Sequence, residues 1–259
     1  MSAQAALDPV RRLRRSVRRL LVKTRGATGL TRADLERRYN MNQMQRYEAV
    51  LNRHERSFRS FSSILEFGCG TGRLTQYLGT LAPQAAVSGC DVSSEAVAQC
   101  RRRCPRGQFL VNRWAPPLAF ADAHFDLIYS YSVFTHLSEA NHLAWLQELA
   151  RLLRPGGMML HTVHSPLYVS RTAYFSPWSL EKYEGLGSLE AFLASGEGYG
   201  YVIDHPDVPE YGHTLITRDY VMANWPRATG LDVLDYVEGA IEAYPEGCQD
   251  LVLLAKASS

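Results

Sequence analysis

The sequence predicts an α/β fold: a seven-stranded, mostly parallel sheet with helices on both faces, an antiparallel final hairpin and an N-terminal helical arm. Three observations predict it. Short apolar runs between residues 63 and 163 alternate with helical patterns of roughly 10–15 residues, the arrangement of right-handed strand–helix–strand crossovers. Those runs are apolar throughout instead of alternating, as strands buried on both faces are. Two last runs, 231–237 and 250–256, flank a short segment with Pro245 and Gly247, which favours an antiparallel turn. The chain of 259 residues is 46% hydrophobic and 21% charged, enough to bury a core without disulfides and unlike a disordered or low-complexity chain.

The elements follow in order. Val10, Leu13, Val17, Leu20 and Leu21 recur at helical spacing with arginines opposite, until Gly26 and Gly29 interrupt. Thr31, with Asp34 three residues on, caps a helix that runs to about His54. Strand 63–67 leads into Gly68-Cys69-Gly70-Thr71-Gly72, and a helix is expected over 73–81. Strand 86–91 ends in Asp91, and Ser93 or Ser94 caps a helix to residue 103. Strands are expected at 108–111 and 125–129. Helix 139–153 stops at Arg154-Pro155-Gly156-Gly157, and strand 158–163 follows. A helix over 217–228 stops at Gly230.

Charge is uneven. Residues 1–40 hold eleven Lys/Arg against Asp8, Asp34 and Glu36, so this segment is +8 and the remainder −6. Within the segment, 10–25 reads as a solvated cap helix or as a contact for an anionic membrane surface. No aromatic residue is interleaved among its arginines before Tyr39, which argues against a nucleic-acid arm. No apolar run of about 18 residues marks a membrane span, and the N-terminus has no signal-peptide pattern. Five irregularly spaced cysteines do not read as a disulfide framework, so a cytoplasmic protein is expected.

The glycine loop sits between strand and helix, where it allows sharp turning and close ligand approach. Asp91 ends the next strand 19 residues beyond Gly72, placed to accept hydrogen bonds from both hydroxyls of a ribose. The spacing is Gly-x-Gly-x-Gly instead of the dinucleotide Gly-x-Gly-x-x-Gly, and Glu66 precedes it by two residues. An acid there repels pyrophosphate and suits an ammonium group.

Together, Leu65-Glu66-Phe67-Gly68-Cys69-Gly70-Thr71-Gly72, Cys90-Asp91-Val92-Ser93, Phe125-Asp126-Leu127-Ile128 with Ser132-Val133-Phe134-Thr135-His136-Leu137, and Leu152-Leu153-Arg154-Pro155-Gly156-Gly157 resemble the motifs of class I S-adenosylmethionine-dependent methyltransferases. The resemblance covers about 63–163 and implies a Rossmann-like fold. It implies S-adenosylmethionine as cofactor and S-adenosylhomocysteine as product. It also implies that Gly68 and Gly70 cradle the methionine part, with Glu66 near its ammonium. Asp91 would hold the ribose, Val92 would pack on the adenine, Asn112 would meet the adenine amino group, and Ser130 would lie close to the cofactor. Beyond residue 163 the chain resembles bacterial small-molecule and sugar methyltransferases.

Methyl transfer from a sulfonium is an in-line displacement, so the enzyme's main task is alignment. A hydroxyl acceptor also needs a base with pKa near 7, which suits histidine. His136, His164 and His213 are expected on the active face. His54, His124 and His142 lie away from the strand ends and read as structural or solvated, and His161 as a core histidine. Residues 165–213 contain nine aromatics among 49 residues, a composition suited either to stacking on an acceptor or to a small satellite core. Ser130-Tyr131-Ser132 replaces the Pro-Pro turn of methylases that act on amino groups of bases or glutamine. The spacing of Cys90, Cys100 and Cys104 does not read as zinc, and no carboxylate cluster points to magnesium, so a metal-independent reaction is expected.

The expected organisation is a helical arm at 1–58 and a methyltransferase domain at 59–259, in which 165–213 covers the acceptor. The expected function is methylation of a hydroxyl on a small molecule, a sugar or glycosylated intermediate, in polysaccharide or natural-product biosynthesis. The alternatives are N- or C-methylation of a natural product, and a non-catalytic scaffold at a membrane-associated assembly.

Overall fold

The computed structural model describes residues 31–175, 181–204, 206–239 and 249–258. The expected helix and membrane contact at 10–25, and the turn around Pro245 and Gly247, lie outside the described residues.

The sheet has the order β3-β2-β1-β4-β5-β9-β8. Its strands are β1 Ser63–Phe67, β2 Ala86–Asp91, β3 Gln108–Val111, β4 Phe125–Ser130, β5 Leu153–Val163, β8 Asp232–Val237 and β9 Asp250–Ala255. The first five run parallel, and β9 pairs antiparallel with both β5 and β8. Strand order reverses between β1 and β4, so the carboxyl ends of these two open the crevice where such sheets bind ligands. Every residue of β1 is buried, the polar Ser63 and Glu66 included.

Helix α1 (Arg32–Arg53) begins in the expected capping box: Asp34 N–H donates to Thr31 Oγ1 at 3.2 Å and Thr31 N–H to Asp34 Oδ2 at 3.1 Å. Its Met44, Tyr47 and Leu51, spaced one helical face apart, are fully buried with Phe58, Leu78, Tyr129 and Leu253 on one side of the sheet. The other side holds Phe67, Phe134, Trp145, Leu149 and Trp225. Those last residues come from α4 (Glu139–Leu152) and α7 (Arg218–Thr229), which Gly230 ends in a left-handed cap. Of the two candidate caps of α3 (Ser94–Arg103), Ser93 is used, accepting from Ala96 N–H at 3.2 Å.

The structure departs from expectation in three places. Instead of one helix over 73–81 there is a 3-10 turn at Thr75–Tyr77 and a short α2, Leu78–Leu81. Thr75 is buried with its hydroxyl committed to Glu66, and Gly79 follows, two residues that weaken a regular helix. Strand β5 starts at Leu153, not at 158, because residues 154–157 run beside the chain's end. There Gly156 N–H donates to Lys256 O and Lys256 N–H to Gly157 O, each at 3.0 Å. Finally, the segment after β5 builds its own sheet. After α5 (Pro166–Phe175) and α6 (Leu189–Ser195), β6 (Tyr199–Ile203) and β7 (Gly212–Ile216) pair antiparallel. Val169, Tyr183, Phe192 and Leu215 form a satellite core beneath it, so two of its aromatics serve packing.

Candidate active site

The crevice is lined by the glycine loop between β1 and the turn at Thr75. Gly68, Gly70 and Gly72 have φ of 76°, 52° and 76°, in the left-handed region. A Cβ at Gly68 would lie 2.2 Å from Val133 Cγ2, so the loop after β4 packs directly on it. A Cβ at Gly70 would meet nothing closer than Asp91 Oδ2 at 3.9 Å, so space opens on that side. Gly70 N–H donates to Asp91 Oδ2 at 2.8 Å and Ser93 N–H to Oδ1 at 2.9 Å, which fixes the carboxylate plane at the mouth of β2.

The two glycines therefore respond differently to Ala. Gly70→Ala should cost only about 1–2 kcal/mol for its left-handed backbone, yet lose ligand affinity because the methyl occupies the opening. Gly68→Ala should cost more stability, since Val133 must also move. Denaturant midpoints and calorimetric titration of both variants check the contrast.

Glu66, 3% exposed, accepts from Tyr129 OH at 2.8 Å and from the Thr75 hydroxyl. Burial raises its carboxyl to about 7, against the opposing pull of those two hydrogen bonds and of Arg73. Val92 is half-buried beside Asp91. Asn112 N–H donates to Asp91 O at 3.1 Å, and its side-chain Nδ2 donates to Arg113 O at 2.7 Å. That leaves Asn112 Oδ1 as a buried acceptor without a partner among the described residues. Ser130 is drawn away from the crevice: it is fully buried, its hydroxyl lies 2.8 Å from His161 Nδ1, and its carbonyl accepts from Tyr47 OH.

The three candidate histidines converge, although they come from three separate segments. His136 donates from Nδ1 to Gly212 O at 2.7 Å and stacks on Tyr211 with centroids 4.6 Å apart. His213 lies 5.7 Å from His136, centroid to centroid, with Nε2 3.3 Å from Asp204 Oδ1. His164 stacks on Tyr168 at 3.8 Å, and its Nδ1 lies 2.8 Å from Tyr183 OH. Desolvation lowers all three, His136 to about 3 and His213 to about 4, and the nearby Lys182 cation adds to each. Tyr211 also meets Trp114 edge-on at 6.3 Å, joining the histidine group to the segment that follows Asn112.

Sequence reasoning missed Asp204 and Lys182, and it counted the partner tyrosines Tyr168, Tyr183 and Tyr211 only among the nine aromatics of their segment. They lie in the 165–213 segment, where no motif marks them; only the aromatic richness pointed there. The sequence resemblance does suggest that the segment near Tyr39 to Tyr47, here part of α1, closes over the cofactor; in that segment Asn40 Oδ1 accepts from Arg73 and the Tyr39 and Tyr131 hydroxyls are bonded.

A glycine-cradled crevice at a strand-order reversal, with a carboxylate at the end of β2, defines a nucleoside-binding enzyme fold. The comparisons narrow it. The methyltransferase domain family matches residues 64–157. A trans-aconitate 2-methyltransferase of Rhodopseudomonas palustris (strain HaA2) is 31% identical over 218 residues, 74% of this chain and 82% of the relative. A fatty-acid O-methyltransferase of Mycolicibacterium smegmatis is 36% identical over 111 residues, 40% of this chain and 38% of that one. Among solved structures, a Burkholderia thailandensis 1,6-didemethyltoxoflavin-N1-methyltransferase with bound S-adenosylhomocysteine is similar at a TM-score of 0.55 and 17% identity. That likeness covers 83% of this chain and 78% of its own. The chain belongs to the class I S-adenosylmethionine-dependent methyltransferases, and S-adenosylmethionine is its cofactor.

The residues present fit that cofactor. The opening at Gly70 leaves room for a ligand against backbone, Glu66 is a carboxylate suited to an ammonium, and Asn112 Oδ1 is an acceptor with no partner among the described residues.

Proposed function

We propose that this enzyme transfers the methyl group to a hydroxyl of a small-molecule acceptor, a sugar or glycosylated intermediate, with His213 as base. The Asp204–His213 pair carries this reading. Asp204 takes the Nε2 proton, so His213 presents the Nδ1 lone pair, which is buried and has no partner among the described residues. The carboxylate behind it favours the imidazolium as the proton arrives. Burial and the Lys182 cation hold the resting His213 to about 4, so it is neutral throughout the neutral range but below the value near 7 that suits a base, and the reading needs the Asp204 carboxylate to raise its basicity as the proton arrives.

In this reading residues 59–259 are the catalytic unit and 165–213 cover the acceptor. Bound S-adenosylmethionine supplies a sulfonium-activated methyl. Glu66 faces its ammonium, Gly68 and Gly70 line the methionine part, and Asp91 accepts from the ribose. Val92 packs on the adenine and Asn112 Oδ1 accepts from its amino group. Ser130, with its hydroxyl on His161 and its carbonyl on Tyr47 OH, holds the end of β4 in place beside the cofactor. His136 and His164 are held neutral and orient the acceptor.

A second reading is favoured by the relatives, which are named for trans-aconitate and for fatty acids, both carboxylic acids. A carboxylate is already deprotonated at neutral pH and requires no base. One experiment separates the two readings. Labelled S-adenosylmethionine is offered with panels of free and nucleotide-linked sugars and of organic acids. Under the hydroxyl reading His213→Ala lowers kcat by about 10²–10⁴ with cofactor affinity unchanged, and Asp204→Asn has a smaller effect of the same kind. Turnover confined to organic acids and retained by His213→Ala establishes the carboxylate reading instead.

A further inference from the structure

The core holds a second polar centre that methyl transfer does not use. His142 on α4, His161 on β5 and Trp225 on α7 are fully buried. They surround Phe134, whose ring centroid is 4.7 Å from each imidazole and 5.6 Å from the indole. The indole lies 5.3 Å from His142 and 6.1 Å from His161. Each of the three has one buried polar atom with no hydrogen-bond partner among the described residues: His142 Nε2, His161 Nε2 and Trp225 Nε1. Roughly nine in ten buried polar groups are partnered, and an orphan costs about 1–3 kcal/mol. Three orphans from three elements at one junction therefore call for a shared partner.

The surrounding hydrogen bonds dictate what that partner is. The Tyr199 hydroxyl gives its one proton to Leu137 O at 2.9 Å, so it accepts from His142 Nδ1 at 3.1 Å. His142 thus carries its hydrogen on Nδ1 and presents a bare lone pair on Nε2. Trp225 Nε1 is a donor only. His161 Nδ1 lies 2.8 Å from Ser130 Oγ, a group that donates or accepts, so its Nε2 can take either role. One donor, one acceptor and one adaptable nitrogen match the two donors and two acceptors of a water molecule.

We propose that one buried water molecule occupies this junction, accepting from Trp225 Nε1, donating to His142 Nε2 and completed by His161 Nε2. A continuous hydrogen-bonded path then runs from Tyr199 on β6 through His142, the water and His161 to Ser130 at the end of β4. It ties the small β6–β7 sheet to the central sheet whatever the acceptor is. Burial holds both imidazoles to about 3, so both stay neutral and the pattern persists across the neutral range.

Crystals of the full chain test the site. The expected result is a density peak within about 3.2 Å of all three nitrogens. Direct bonding between the two imidazole Nε2 atoms, or no peak at the junction, overturns the proposal. Trp225→Phe tests the tie, since it keeps an aromatic ring and removes the donor. Amide exchange in β6 and β7 of the whole protein should quicken about tenfold, with β1 and β2 unchanged. Unchanged exchange in β6 and β7, or equal acceleration in every strand, overturns it.

Discussion

Lowering the pH from 7 to 5 should unfold or severely destabilise this protein, with the melting midpoint falling by roughly 15 °C. The cause is a set of buried histidines. His136, His142 and His161 are held to about 3 and His213 to about 4, with burial the first cause in each, and His164 is lowered well below the ordinary range for the same reason. Lys182 lowers His136, His164 and His213 further, and Asp204 opposes it at His136. In the unfolded chain all five take a proton near pH 6.5. The unfolded state therefore binds more protons below that pH, and stability that is complete above 6.5 is lost as pH falls. Between pH 6.5 and 5 the loss is about 1.6 kcal/mol per histidine, or roughly 6 kcal/mol for His136, His142, His161 and His213, with His164 acting in the same direction.

Glu66 works in the opposite direction. Its folded value, about 7, lies above the ordinary 4.5, so it returns stability as pH falls. One group regains about 2 kcal/mol over the same interval, leaving a net loss of about 4 kcal/mol from these groups. That is a large share of the 5–15 kcal/mol typical of a domain. Circular-dichroism melts at pH 7.5, 6 and 5 check it. A midpoint that moves by less than a few degrees would mean that these histidines protonate within the fold.

The contrast between these histidines and the glycine loop shows what the sequence reveals. The β-strands were legible because their apolar runs are local, and the crevice because Gly68, Gly70 and Asp91 keep a fixed spacing around one crossover. His136, His164 and His213 were picked from their places near strand ends, and they do meet. Asp204 was not legible, because its role depends on the pairing of β6 with β7, a long-range event in a segment without a repeating pattern. Helix 73–81 was misread for a related reason: Thr75 turns inward to Glu66, and that contact overrides a local helical preference. The burial of His142 and His161 against Trp225 likewise follows from packing among α4, β5 and α7.

Glu66→Gln should separate stability from function in one substitution. The side chain of Glu66 is buried against Thr75 and Tyr129, and a glutamine oxygen can accept from both. What the substitution removes is charge. Folding raises the carboxyl to about 7, so its ionised form is disfavoured. That cost is absent below pH 4.5, grows as pH rises, and is complete above pH 7, where it reaches roughly 3 kcal/mol. Glu66→Gln should therefore raise the melting midpoint by several degrees at pH 8 and leave it nearly unchanged at pH 4.5. Cofactor binding should move the other way. If Glu66 meets the ammonium, losing a charge-assisted hydrogen bond of about 1.5–3 kcal/mol weakens binding by roughly 10- to 100-fold. The wild-type enzyme should also bind about tenfold more weakly at pH 6 than well above pH 7, since the ammonium selects the ionised acid. Calorimetric titration across this range reads both effects. A variant that binds as tightly as wild type would remove Glu66 from the ammonium, and one that melts lower at pH 8 would show that the buried charge is not a burden. The expected pair of results, greater stability with weaker binding, is the mark of a carboxylate kept in the core for its ligand and not for the fold.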